Sequence, residues 1–91
     1  MTIRQPVINT MKRIGFNPEQ CIETGEKETI ENRFGGGSCE ASPYIARLVE
    51  WVYKTSNAYE AGDYSVKTAD FDRIRYFIAE VDQNAYSTCI D

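Results

Sequence analysis

Two apolar stripes with helical spacing, each bracketed by residues that start or stop helices, constrain this chain more than any other feature. In residues 68–85, Phe71, Ile74, Ile78, Val81 and Ala85 recur every three or four positions, with Phe77 widening one side; that spacing gathers apolar groups on one face of an α-helix. Thr68 stands where an N-cap belongs. Asp70 and Asp72 follow in the first turn, where carboxylates meet the positive end of the helix dipole. Upstream, Ser42 followed by Pro43 signals another helix start. Its apolar face is Ile45, Leu48, Val49, Val52 and Tyr59, its polar face Arg47, Glu50, Lys54 and Asn57, and Gly62 ends it. The short stretch from Gly62 to Lys67 between the two helices suits antiparallel neighbours. The expected framework is an αα-hairpin in which Leu48, Val52, Ile74 and Ile78 are buried against one another.

Two helices alone leave much of their stripes in water, so other elements must cover them. Ile3, Val7, Met11 and Ile14 form one helical stripe ending at Gly15. Its start reads either at a Thr2 cap with Gln5 in capping-box position, or at Pro6. Asn17, Pro18, Gln20 and Gly25 then outline a short helix over 18–24, with Phe16 and Cys21 placed as a hydrophobic staple. Residues 26–42 read as a flexible glycine-rich connection, because Gly35, Gly36 and Gly37 in succession cost backbone entropy on ordering. A short strand around 29–34, whose alternation is not clean, has Tyr64 to Lys67 as its evident partner. The expected fold class is therefore all-α with room for a minor two-stranded β element: two long helices covered by one or two shorter N-terminal ones. A chain of 91 residues has room for a single domain, 1–91.

Histidine is absent, which removes the commonest general base and metal ligand together with Ser-His-Asp and Cys-His catalysis. A zinc site would have to draw on Cys21, Cys39 and Cys89, which contain no close C-x-x-C pair. The odd cysteine count fits small buried thiols in a reducing compartment better than a secreted disulfide framework. Cys39 lies just ahead of a helix start, where a thiolate is favoured, but no base neighbours it in sequence. No cofactor is expected. Asp70, Asp72, Glu80 and Asp82 read as dipole caps and a solvated face; on a helical wheel Asp72 and Glu80 diverge by roughly 80°, and no facing acidic helix completes a metal site.

Arg33 and the run Gly35, Gly36, Gly37 and Ser38 raise an alternative function, capture of a nucleotide or other anion by backbone donors ahead of a helix. The P-loop pattern requires a Lys after the glycines and a helix directly behind them, and neither occurs here.

Aromatic content is the feature with the clearest functional weight. Six Tyr, four Phe and one Trp exceed what a core of this size encloses, and Tyr, Trp and Arg dominate binding hot spots. Tyr76 falls opposite the apolar stripe, beside Arg73, Glu80 and Gln83, so it is expected at the surface. Tyr44 and Trp51 border the stripe of the preceding helix, with Trp51 expected to be part-buried. These six residues are the candidate partner-binding set. Because Tyr44, Trp51 and Phe77 would overfill a monomer, a two-fold homodimer is also expected.

In small size, acidity, tyrosine richness and glycine-broken helices, the chain resembles the bacteriophage-encoded inhibitors of host defence systems, such as anti-CRISPR proteins. The resemblance is compositional and carries over no functional residue. It implies a non-enzymatic inhibitor that occupies a partner protein's surface, such as the basic channel of a nucleic-acid-handling host complex. A net charge of −4 suits a basic partner and disfavours direct nucleic-acid binding. Arg4, Lys12 and Arg13 instead give the N-terminal segment a positive end, suited to acids of the same fold, a second copy or a partner. With no apolar run of membrane-spanning length and no secretory signal, a soluble cytoplasmic protein is expected.

Overall fold

The computed structural model describes residues 4–21, 25–33 and 35–90, the side chain of Cys21 excepted. The order of elements is α1 (Gln5–Ile14), a 3-10 turn (Pro18–Cys21), β1 (Glu28–Glu31), β2 (Ser38–Ala41), α2 (Pro43–Glu60), α3 (Thr68–Val81), the single turn α4 (Gln83–Ala85) and a final π turn (Tyr86–Ile90). The chain is mostly helical, with a two-stranded antiparallel sheet as its minor β element. Among the described residues no helix is long and apolar enough to cross a membrane.

The centres of both helical stripes are inside. Ile45, Leu48, Val49 and Val52 of α2 and Ile74, Phe77 and Ile78 of α3 are buried in one core with Val7 and Met11 of α1. The α2 and α3 helices touch, and α1 lies on α3. The Ser42 side chain caps α2 by accepting the Ile45 N–H at 3.3 Å. Leu48, Val52, Ile74 and Ile78, expected to be buried against one another, are each buried in this core.

Several boundaries differ from the expectations. Residues 18–21 form a 3-10 turn instead of the start of an α-helix, while the remainder of that expected helix and the Cys21 side of the staple lie outside the described residues. So do Thr2 and Ile3; within the described chain α1 starts at Gln5, with Pro6 in its first turn, where a missing N–H costs nothing. Thr68 is the first residue of α3 and not its cap; Lys67 takes the cap position without a side-chain hydrogen bond. The last stripe is not one helix, because Asp82 leaves helical geometry and its carboxylate accepts the Ala85 N–H at 3.1 Å, so Ala85 belongs to α4. Local capping by an Asp side chain competes here with continuation of the backbone ladder.

The strand expectation was right in kind and wrong in partner. β1 pairs with β2, from Glu28 opposite Ala41 to Glu31 opposite Ser38, and Tyr64 to Lys67 takes no part in the sheet. The segment 26–42 is thus built around a β-hairpin whose turn contains the three glycines. Gly36 and Gly37 have φ of 75° and 89°, left-handed values that side chains with a Cβ rarely adopt. The Asn32 N–H donates to the Gly37 carbonyl at 3.0 Å and closes the turn. Ser38, Cys39, Glu40 and Ala41 alternate exposed and buried, the period-two pattern of a half-buried strand. It is faint in sequence because its apolar members are only Cys and Ala.

Candidate functional site

The basic N-terminal helix is tied to acids of its own fold. Arg4 approaches Glu80 at 3.6 Å, and Arg13 on α1 pairs with Asp70. Asp70 is therefore not the solvated dipole cap expected of it. Its carboxylate is buried and receives Arg13, with Arg73 at 3.8 Å. Arg73 also donates to the Thr10 hydroxyl at 3.2 Å. Of the candidate surface set, Arg73 and Glu80 thus turn toward α1, and Gln83 is exposed in α4. Tyr76 is 68% exposed, as its wheel position predicted.

Tyr44 and Trp51 lie elsewhere. Both are part-buried against the core, and Phe77 is fully buried at 1% exposure, so the three side chains expected to overfill a monomer are accommodated. The apolar surplus that motivated a homodimer is absent from these positions. Instead, aromatic rings form a ladder across the molecule: Tyr44 meets Phe16 (centroids 5.9 Å apart), Phe16 meets Trp51 (6.5 Å), Trp51 meets Phe71 (6.0 Å), Phe71 meets Tyr59 (6.2 Å) and Tyr59 meets Tyr64 (5.2 Å). Most of these pairs are edge-to-face, the arrangement favoured by ring quadrupoles. The ladder absorbs much of the aromatic excess and emerges at Tyr64, 72% exposed. Tyr59, expected on the buried face of α2, is 38% exposed because the last turn of α2 runs past the core.

Beside the emergent end is a cleft of about 420 Å³ between α2, α3 and the C-terminal turn, lined by Val52, Tyr53, Tyr59, Phe71, Arg75 and Ile90 among others, a size that suits a small ligand or a partner's side chains. A smaller recess on the same helix adds Tyr76 and Tyr86 around Asp72 and Arg75. Arg75 joins the two. Arg4, Arg13, Arg33, Arg47 and Arg73 each meet a carboxylate. Among the described residues Arg75 meets none, and its buried Nε has no hydrogen-bond acceptor. Glu60 and Asp72 also line the cleft, so its rim carries both signs of charge. Sequence reasoning passed over Arg75. The signal was available: Arg75 follows Phe71 by four positions and precedes Ile78 by three, which places a guanidinium on the flank of the apolar stripe.

The glycine turn is arranged differently. Arg33 is engaged by Glu50 at 2.6 Å and lies over the Tyr53 ring at 5.0 Å. Gly35 donates its N–H to the Asn32 side chain, and Ser38 begins β2. The groove next to it is lined by Glu28, Ile30, Arg33, Arg47 and Glu50. There Arg47 forms a two-pronged pair with Glu28 at 2.8 and 3.0 Å, and the hydrogen bond raises the Arg47 pKa further. Both guanidiniums near the glycines are already met by carboxylates.

Cys39 and Cys89 are buried with their sulfurs 3.5 Å apart. Burial, then the Cys39 contact, pushes the Cys89 thiol up to about 12, the opposite of an activated nucleophile. Among the described residues no group of three or more Cys, Asp or Glu side chains is placed to hold a metal ion. No protein-family model, curated protein or solved structure matches the chain.

Proposed function

We propose that this is a non-enzymatic binding protein that engages a partner protein through the face carrying Arg75, Tyr76, Tyr59 and Tyr64. The observation that carries the reading is the buried, acceptor-less Nε of Arg75 in an aromatic-lined cleft. An unsatisfied buried donor is costly, and a turn of the half-buried guanidinium toward a partner's carboxylate or backbone carbonyl would satisfy it while an apolar side chain of the partner fills the cleft. Tyrosine and arginine around a part-desolvated pocket are the composition of a binding hot spot. In this reading α2 and α3 form an antiparallel hairpin that holds the face rigid, α1 braces its other side, and Arg73, Glu80, Trp51 and Tyr44 act as support instead of contacts. The lack of histidine and the raised Cys89 pKa both favour binding over catalysis. Inhibition of a nucleic-acid-handling complex is one form such binding could take, supported by composition alone.

The test is affinity capture from a candidate host with the wild-type chain, Arg75→Ala, Tyr76→Ala and the control Lys54→Ala, whose side chain is exposed on the polar face of α2. A protein retained by wild type and Lys54→Ala but lost by both face variants supports the reading. Equal capture by all four overturns it.

A further inference from the structure

The sulfurs of Cys39 on β2 and Cys89 in the C-terminal π turn lie 3.5 Å apart, and both side chains are buried. Cys89 also approaches the Ile30 carbonyl at 3.6 Å, so its side chain is directed at the hairpin. Independently, the Asn32 side-chain amide donates to the Thr88 carbonyl. Two tertiary links therefore hold the final turn in register with the hairpin, and they fix the approach of the two thiols. Bond formation requires the sulfurs to close from 3.5 Å to about 2.05 Å.

We propose that Cys39 and Cys89 are a redox-active dithiol which closes to an intramolecular disulfide in the presence of a small-molecule disulfide, clasping the C-terminal turn to the β-hairpin. One cysteine, as thiolate, attacks the small-molecule disulfide and expels one thiol, leaving a mixed disulfide on the protein. The other cysteine attacks that protein sulfur and expels the second thiol. The two protein sulfurs lose two electrons and two protons in total, and the small-molecule disulfide becomes two thiols. Burial makes the exchange slow while the turn is seated, and local opening of 86–90 admits the reagent. The bond would span 50 residues, a loop long enough for a large reduction in unfolded-chain entropy.

The experiment treats the reduced 91-residue chain with oxidised glutathione and follows intact mass, non-reduced peptide maps and thermal unfolding. Expected are the loss of two hydrogen masses, a peptide linking Cys39 to Cys89, and a rise in Tm on the order of 10 °C that a dithiol reductant reverses. Cys21→Ser should retain all three results, whereas Cys39→Ser and Cys89→Ser should lose them. Should either serine variant fail to fold, the wild-type peptide map decides by itself. Glutathione adducts without a link, a link to Cys21, or a Cys39–Cys89 link with unchanged Tm would overturn the proposal.

Discussion

Arg13 on α1 pairs with Asp70 in the first turn of α3, across 57 residues of sequence, with the carboxylate 6% exposed and the guanidinium 58% exposed. The acid is committed to the interior and the base reaches in from solvent. Removing the base leaves a buried carboxylate with only the more distant Arg73, so Arg13→Ala should cost about 1.5–3 kcal/mol, the range for hydrogen bonds to charged groups. Chemical denaturation of the variant checks this, and a loss below about half a kcal/mol would place Asp70 in water.

Ile78 is fully buried at the centre of the α3 stripe. Truncation to Ala removes its packing and leaves a cavity that rigid helices cannot close, so a loss of about 2–4 kcal/mol is expected. An urea titration giving much less would show that this face of α3 is not enclosed.

Arg75 should behave in the opposite way. Replacing a guanidinium that has a buried, unsatisfied Nε with an apolar side chain of similar length removes a desolvation penalty, so Arg75→Met should leave Tm unchanged or raise it. Partner capture should fall at the same time. A strongly destabilised Arg75→Met would mean that the guanidinium supports the fold.

The hairpin turn gives a paired test. Gly36→Ala forces a Cβ onto a backbone with φ of 75° and should cost about 1–2 kcal/mol. Gly35 lacks a positive φ, and an added Cβ there would meet only the Asn32 side-chain nitrogen at 3.7 Å. Gly35→Ala should therefore be neutral or stabilising by up to about 1 kcal/mol, since it restricts the unfolded chain. Equal losses in thermal melts of the two variants would contradict the turn geometry.

Stability should also fall in alkali. The Cys89 thiol rises from 9.0 to about 12 on folding, so between those values the folded state holds a proton that the unfolded state has lost. Its contribution is complete below pH 9 and declines as pH rises toward 12, by at most about 1.4 kcal/mol per pH unit. Burial raises the Tyr53 hydroxyl in the same direction. Melts across this window should show a shallower decline in Cys89→Ala than in wild type, and identical slopes would argue against a buried thiol.

The three longer helices α1, α2 and α3 were legible in the sequence, because their signals are local, whereas the 3-10 turn at 18–21 and the break at Asp82 were not. Ser42 and Pro43 marked the start of α2, Gly15 marked the end of α1, and periodic Ile, Leu and Val marked the faces that go inside. The exposure of Tyr76 followed from the same periodicity. Which distant groups meet depends on how the elements pack. Nothing local in Asp70 distinguishes a solvated helix cap from a buried partner of Arg13, since both uses place an acid in a first helical turn. Cys39 and Cys89, 50 residues apart, carry no mutual signal, because their approach depends on where the hairpin and the final turn rest on the core. The strand partner was missed for a related reason: Cys39 and Ala41 bury little apolar surface, and the alternation they make became a strand only when three glycines let the chain fold back onto β1. Arg75 combines the two cases. Its place on the helix flank was written in the spacing from Phe71 to Ile78, but its lack of a carboxylate partner emerged only when the other charged side chains had been arranged in space.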